Sequence, residues 1–285
     1  PVLAELVDRA DVVFHLAAAV GVRLIVESPV NTIETNVHGT EMVLKLANKK
    51  RKKVLLTSTS EVYGMCPDRE FDEDSSPLVY GPIRKERWIY SASKQLLDRV
   101  IWAMGNANRL RFTLFRPFNW YGPHLDDVDA PKEGSSRVLT QFLHNVLYGV
   151  PIQLVDGGHQ RRCFTYVEDG IDGLMKILVN ENGCADGQIF NIGNPAANLS
   201  IRELAQQLLA AVGTYPEFAA RARGARIVEV SSALYYGENY QDITMRVPSI
   251  RKAKECLGWS PATDFPTGLG KTLDFYLTGR AKHEV

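Results

Sequence analysis

Short buried runs alternate with longer segments of helical periodicity through the first 123 residues, and this alternation narrows the possible folds more than any other feature of the chain. Residues 12–16 (Val-Val-Phe-His-Leu), 54–56 (Val-Leu-Leu) and 112–115 (Phe-Thr-Leu-Phe) are short, mostly apolar runs, the pattern of strands covered on both faces. Between them, Ile33, Val37, Thr40, Leu44 and Ala47 recur at spacings of four and three across 31–48. Leu96, Leu97, Val100, Ile101 and Met104 form a second apolar stripe across 92–104. Strands separated by helices of that length run parallel, with the helices crossing back over the sheet.

After residue 123 the pattern loosens. Residues 126–136 read as a polar loop, Val138–Tyr148 as a helix, Ile152–Val155 as a short strand, and 167–178 and Ile201–Val212 as helices. Ser200 with Glu203 forms a capping box at the start of the last of these. Ser249 is placed to cap a helix ending at Leu257, where Gly258-Trp259-Ser260-Pro261 stops it. The expected division is a sheet domain over 1–123 and, over 124–285, a smaller α/β lobe that binds substrate and returns some segments to the sheet. A ligand would sit in the cleft between them. The chain opens as if a helix were already under way, with Leu3, Leu6 and Val7 apolar.

The 33 basic residues balance 33 acidic ones, so there is no cationic surplus to draw nucleic acid or an anionic membrane. The longest apolar runs, such as 12–20, are too short to span a bilayer, and no leader pattern is visible. A cytoplasmic location is expected. Cys66, Cys163, Cys184 and Cys256 are far apart in sequence and show neither C-x-x-C nor Cys/His spacing, so they read as four reduced structural thiols and no metal site is expected.

The chemistry concentrates in two places 30 residues apart. Tyr90 and Lys94 are one helical turn from each other, so a lysine ammonium can favour the phenolate and make the tyrosine a base near neutral pH. Upstream, the strand 54–56 ends in Thr57-Ser58-Thr59-Ser60-Glu61, whose hydroxyls can hydrogen-bond an alcohol undergoing oxidation.

These residues belong to a longer set. His15-Leu16-Ala17-Ala18, Ser58-Thr59-Ser60-Glu61-Val62-Tyr63-Gly64, Tyr90-x-x-x-Lys94 and Arg116-Pro117-Phe118-Asn119-x-x-Gly122-Pro123 resemble the extended short-chain dehydrogenase/reductase family, the NAD-dependent epimerases and dehydratases of nucleotide sugars. Asp156-Gly157-Gly158-x-Gln160-x-Arg162 and Tyr235-Tyr236-Gly237-x-x-Tyr240-Gln241-Asp242 are more specific. They resemble the UDP-glucuronate decarboxylase domain of bifunctional polymyxin-resistance enzymes, and plant UDP-apiose/UDP-xylose synthases share much of the pattern. The resemblance runs over about residues 11–278.

It implies an α/β fold, a Rossmann-like doubly wound parallel sheet, with NAD as cofactor and a UDP-sugar as substrate. The implied reaction is oxidative decarboxylation of UDP-glucuronate to a UDP-4-keto-pentose, UDP-xylose or UDP-apiose. A 4-epimerase, a 4,6-dehydratase and a non-catalytic remnant are the alternatives. The resemblance also implies that three strands and a glycine-rich turn precede residue 1, which would leave this chain a weak NAD binder. It further implies a homo-oligomer packed through helix 92–104, with Leu97, Ile101 and Met104 as its ridge.

By their place in the motifs, Ala17, Ala18, Asn36, Thr57 and Pro117 join Tyr90 and Lys94 around the cofactor. Val20, Thr59, Ser60, Arg87, Asn119, Arg137, Gln153, Arg162 and Tyr240 are implied substrate contacts. Thr59, Tyr90 and Lys94 would oxidise the sugar, and Glu61 and Arg246 would act at its acid end. On the residues alone, Glu61 could instead cap a loop amide, Arg246 could be solvated surface, and Asn119 could serve only the turn before Gly122-Pro123. Arg161 reads as surface charge, and His15 as a strand histidine. Ile25 stands where the polymyxin-type enzymes have a sugar-contacting tyrosine, which leaves the exact sugar open.

Overall fold

The computed structural model describes residues 2–21, 25, 28–131 and 136–278. Its central sheet has four parallel strands, β1 (Val12–His15), β2 (Lys53–Thr57), β3 (Phe112–Pro117) and β8 (Ile189–Ile192), in the order β1-β2-β3-β8. Side chains alternate across each strand. Val54 and Leu56 of β2 and Phe112 and Leu114 of β3 therefore face one way, onto α1 (Val2–Arg9), α2 (Pro29–Lys50) and α3 (Trp88–Asn108). Leu55 and Phe115 face the other way and pack with Phe190 and Ile192 under α5 (Val167–Val179) and α9 (Arg251–Leu257). Both faces are covered, which is why these strands read as continuous apolar runs.

A second core joins α4 (Val138–Tyr148), α6 (Ile201–Val212), α7 (Ala219–Gly224) and α10 (Phe265–Leu277) around Phe142, Leu143, Leu204, Leu208 and Leu273. Short strand pairs flank it: β4 (Trp120–Tyr121) with β7 (Thr165–Tyr166), and β5 (Ile152–Val155) with β10 (Ile227–Val230). β6 (Arg161–Cys163) lies between β11 (Met245–Arg246), parallel to it, and β9 (Asn198–Ser200), antiparallel to it. The short helix α8 (Ser232–Tyr236) follows β10.

Local signals fixed several ends. Ser200 accepts from the Glu203 N–H at 3.0 Å while Glu203 accepts from the Ser200 N–H at 2.7 Å, the full capping box. Ser249 does not cap α9. The N-cap is Ile250, without a side-chain bond, because residues 247–249 pair with Phe71: the Phe71 N–H donates to Val247, and the Ser249 N–H donates to the Phe71 carbonyl. The helix expected over 92–104 starts four residues earlier, at Trp88, and so includes Tyr90 in its first turn. The expected oligomer ridge is also corrected. Leu97 and Ile101 are fully buried inside the chain's own core, and the exposed large apolar residues of α3 are Leu96 and Trp102. Of the expected loop 126–136, residues 132–135 lie outside the described residues, as does most of the stretch around Ile25, itself buried.

Candidate active site

The C-terminal end of β2 is bent sharply, and the bend aims the site. Thr59 accepts from the Glu61 N–H at 3.2 Å, starting one turn of 3-10 helix over Ser60–Tyr63. Gly64 ends it at φ 59°, where a Cβ would run into the Val79 carbonyl, so only glycine fits. Glu61 is thereby turned towards the first turn of α3. There Tyr90 is buried and hydrogen-bonded to Thr59, and Lys94, one turn on, donates from Nζ to the Thr57 carbonyl at 2.9 Å.

The titration of this pair differs from the expectation. Burial, and after it the Glu61 charge, raise the Tyr90 phenol well above its ordinary range, and the Thr59 hydrogen bond only partly opposes them. Lys94 is not among the groups that dominate Tyr90. Its ammonium is turned to the strand end, and burial lowers it to about 8, with Asp98 acting against that drop. Behind it lies a buried network that the sequence reading missed. Asp98 accepts from Ser58 at 2.9 Å and from Arg116 at 3.1 Å, and the Arg116 guanidinium lies 4.7 Å from the Tyr63 ring centre. The only sequence signal for it was Asp98 four residues after Lys94, on the same helix face.

Beside Tyr90 stands a cluster of buried charge. The register of β6 on β11 sets Arg162 beside Arg246, and Arg87 arrives from just before α3. Glu61 Oε1 accepts from Arg87 and from Arg246, each at 3.2 Å, and Ser60 accepts from Arg246 at 3.2 Å. Asp242 accepts from Arg162 at 2.9 Å and pairs with Arg87 at 3.3 Å. Burial would raise the Glu61 carboxyl, but Arg87, Arg246 and Arg162 outweigh it and hold it below the usual range. Asp242 is held down in the same way by Arg162 and Arg87. For Arg246 the charged form is disfavoured instead: burial and Arg162 lower it to about 10 despite Glu61. Among the described residues three guanidiniums thus face two carboxylates, and the buried Nε atoms of Arg87 and Arg246 have no hydrogen-bond partner. Neither bland alternative describes Glu61 or Arg246: one is bonded through its carboxylate, and the other is 6% exposed.

A cavity of about 320 Å³ opens onto this cluster. Of the expected residues, Glu61, Arg87, Asn119, Arg137, Gln153, Arg162, Tyr240 and Arg246 line it. Arg87 donates to the Tyr240 hydroxyl, and Tyr240 stacks on Tyr236 with ring centres 4.2 Å apart. Asn119 sits at φ 39°, serving the turn and the cavity wall together. Arg137 is on the rim, paired with Asp126 at 2.9 Å, and Arg161 is half-exposed and paired with Glu203. Asp242, Tyr235, Tyr236 and Gln160 also line the wall. All four lay inside quoted motifs without being assigned a role.

Val20 is exposed and is not part of that wall, and the buried Thr59, Ser60, Tyr90 and Lys94 are not among the residues that line it. Asn36 spends its amide on the loop after β1, accepting from the Ala19 N–H at 2.7 Å and donating to the Ala19 carbonyl at 3.0 Å. It therefore shapes the loop carrying Ala17 and Ala18. His15 bonds Thr40 at 2.8 Å, and burial lowers its pKa to about 4, so it is neutral at physiological pH.

A parallel sheet with a tyrosine–lysine helix at its strand ends thus stands beside a cavity walled by Arg87, Arg137, Arg162 and Arg246 together with Glu61 and Asp242, in the arrangement of an α/β fold that binds its ligand beyond the carboxyl ends of its strands. The model of the NAD dependent epimerase/dehydratase family matches residues 2–193, and the chain belongs to that family. Among solved structures it is similar to the PbgP3 protein from Burkholderia pseudomallei, at 46% identity over 98% of this chain and 80% of that one, with a TM-score of 0.88. A dTDP-glucose 4,6-dehydratase, DesIV from Streptomyces venezuelae, solved with NAD and TYD bound, is 26% identical over 98% of this chain and 78% of its own, with a TM-score of 0.78. A UDP-glucose 4-epimerase from Thermotoga maritima, solved with UDP-glucose, shares the fold at 22% identity over 97% of this chain and 82% of its own, with a TM-score of 0.76. The residues at the C-terminal end of β2 suit the nicotinamide half of the family's cofactor. Thr57 Oγ1 is buried there without a partner, and the Lys94 ammonium, with three protons to donate, has one acceptor among the described residues.

Proposed function

We propose that this protein catalyses NAD-dependent oxidative decarboxylation of UDP-glucuronate. The observation that carries the reading is the surplus of buried positive charge beside Tyr90. Three guanidiniums share two carboxylates, and one of them, Arg246, is depressed by its own surroundings. A cation kept where burial opposes it, in the wall of a cavity, is the kind of perturbed group that marks a ligand site. A substrate with a carboxylate on the reacting sugar balances the cluster, and a neutral hexose does not.

In this reading Lys94, Thr57 and the loop held by Asn36 hold the cofactor, and NAD, when bound, supplies the hydride acceptor. Thr59 and Tyr90 hold the C4 hydroxyl, and Tyr90 takes its proton as the carbon is oxidised, which requires the bound ligands to offset the burial and the Glu61 charge that disfavour the phenolate. The C4 ketone is then β to the C6 carboxylate, so the C5–C6 bond breaks with its electron pair delocalised into an enolate as carbon dioxide leaves. Arg246, with Glu61 setting its position, orients the carboxylate before the loss and stabilises the enolate after it. Protonation at C5 gives the UDP-4-keto-pentose. Arg162, Tyr240, Gln153 and Arg137 line the remainder of the cavity and would receive the UDP portion. A homo-oligomer built on the outer face of α3, now with Leu96 and Trp102 at its surface, belongs to the same proposal.

The test is incubation of the purified protein with NAD and UDP-glucuronate while carbon dioxide and NADH are followed. Stoichiometric carbon dioxide is expected at an NAD concentration high enough to fill a weak cofactor site. Interconversion of UDP-hexoses without any carbon dioxide from UDP-glucuronate would replace this reading with that of an epimerase.

A further inference from the structure

Two of the four cysteines, 72 residues apart in sequence, meet in the fold. Cys184 lies in the turn between α5 and β8, and Cys256 lies in the last turn of α9, which packs on that side of the sheet. Each thiol donates to the other residue's carbonyl, Cys184 Sγ to the Cys256 oxygen at 2.9 Å and Cys256 Sγ to the Cys184 oxygen at 2.9 Å. This reciprocal exchange sets the two main chains face to face with both sulfurs in the gap between them. The thiols are also close enough to hydrogen-bond each other. Both residues are half-buried, within reach of a small oxidant, whereas Cys163 is fully buried. Neither residue of the pair lines the cavity, and neither has a part in the chemistry above.

We infer that Cys184 and Cys256 are a redox-responsive pair that closes to a disulfide under a peroxide, clamping the chain just after Arg246 to the central sheet. The step balances with the peroxide as oxidant. One thiol loses its proton and attacks the O–O bond, giving a sulfenic acid and water; the second sulfur displaces the hydroxyl as a further water and forms the S–S bond. Two thiols are oxidised by two electrons, and one hydrogen peroxide is reduced to two waters. The reciprocal contacts of 2.9 Å hold the two main chains close together with both sulfurs between them, the proximity that a disulfide requires. Burial and the neighbouring Cys184 thiol push Cys256 up to about 11, so the Cys256 thiol is mostly protonated at neutral pH and reacts slowly compared with an activated thiolate. The clamp would tie α9, and through residues 247–250 the strand β11 that carries Arg246, to the turn leading into β8.

The test is thiol counting under denaturing conditions, before and after treatment with hydrogen peroxide, followed by peptide mapping. Four thiols should fall to two, with the Cys184 and Cys256 peptides joined within one chain, and dithiothreitol should restore four. In Cys256→Ser, and separately in Cys184→Ser, the intramolecular cross-link should be lost, and the unreacted variants should unfold at the temperature of the parent within about a degree or two, since neither hydroxyl breaks a core contact. The oxidised parent should unfold at a higher temperature than the reduced one. Retention of all four thiols, a cross-link through Cys66, or a purely intermolecular bond would overturn the inference. So would an oxidised protein that unfolds no later than the reduced one.

Discussion

Replacing Glu61 by glutamine keeps the side chain's shape and removes its charge from the centre of the arginine cluster. Glu61 Oε1 lies 3.2 Å from Arg87 and 3.2 Å from Arg246. At an effective dielectric constant of ~20, charges about 4 Å apart attract by ~4 kcal/mol before the cost of burial is subtracted. Removing one member of a buried pair costs about 3–5 kcal/mol, because the partner's charge stays behind. Arg246 fixes the sign of the rest. Its pKa of about 10 against an ordinary 12.5 means its charge already sits unfavourably, by about 3 kcal/mol. Glu61→Gln should therefore destabilise by about 3 kcal/mol. Arg246→Met alone should cost under ~1 kcal/mol, since Glu61 keeps Arg87. The double variant should cost about 2 kcal/mol, less than Glu61→Gln alone, which places the coupling at about 1–2 kcal/mol, within the range for directly interacting charges. Urea denaturation of the parent, both single variants and the double variant closes the cycle. Additivity within ~0.5 kcal/mol would show that the two charges do not share one energy term and would undo the account of the cluster.

Lys94→Met tests the buried ammonium through pH. The folded-state pKa is depressed to about 8 from 10.5, so between those values the unfolded chain holds a proton that the folded one has released, and stability rises with pH by up to about 3 kcal/mol. The parent should gain that stability over Lys94→Met between about pH 8 and pH 10 in urea titrations, and parallel profiles would contradict it. Ser200→Ala should cost about 1 kcal/mol by breaking the capping box, whereas Ser249→Ala should stay within ~0.5 kcal/mol because that hydroxyl caps nothing; equal losses in thermal scans would contradict the assigned helix starts.

Much of the sheet was legible because burial on both faces leaves no polar alternation in β2 and β3, and the apolar stripes of α2 and α3 have a helical period. The reading failed where tertiary contacts override local signals. Ser249 has the chemistry of an N-cap, but the pairing of residues 247–249 with Phe71 holds it away from the helix start. Leu97 and Ile101 read as a surplus ridge because periodicity gives a stripe's direction along the helix and not which neighbour covers it; they are spent on the chain's own core. Tyr90 and Lys94 were visible from their spacing, but the balance of forces on the phenol was not, since it depends on how close Glu61 comes and how dry the pocket is. The pairing of Asp98 with Arg116 and the meeting of Cys184 with Cys256 join residues that no sequence spacing places together.

The most direct measurement separates oxidation from carbon dioxide loss by supplying UDP-4-keto-glucuronate already oxidised. The account predicts that Tyr90→Phe, which cannot take the C4 proton from UDP-glucuronate, still releases carbon dioxide from the preformed keto acid, and that Arg246→Met does so at least ~100-fold more slowly than the parent, the scale of losing one stabilising donor to a developing charge. Unchanged decarboxylation in Arg246→Met would contradict the claim that the buried arginine cluster exists to act on the sugar's carboxylate.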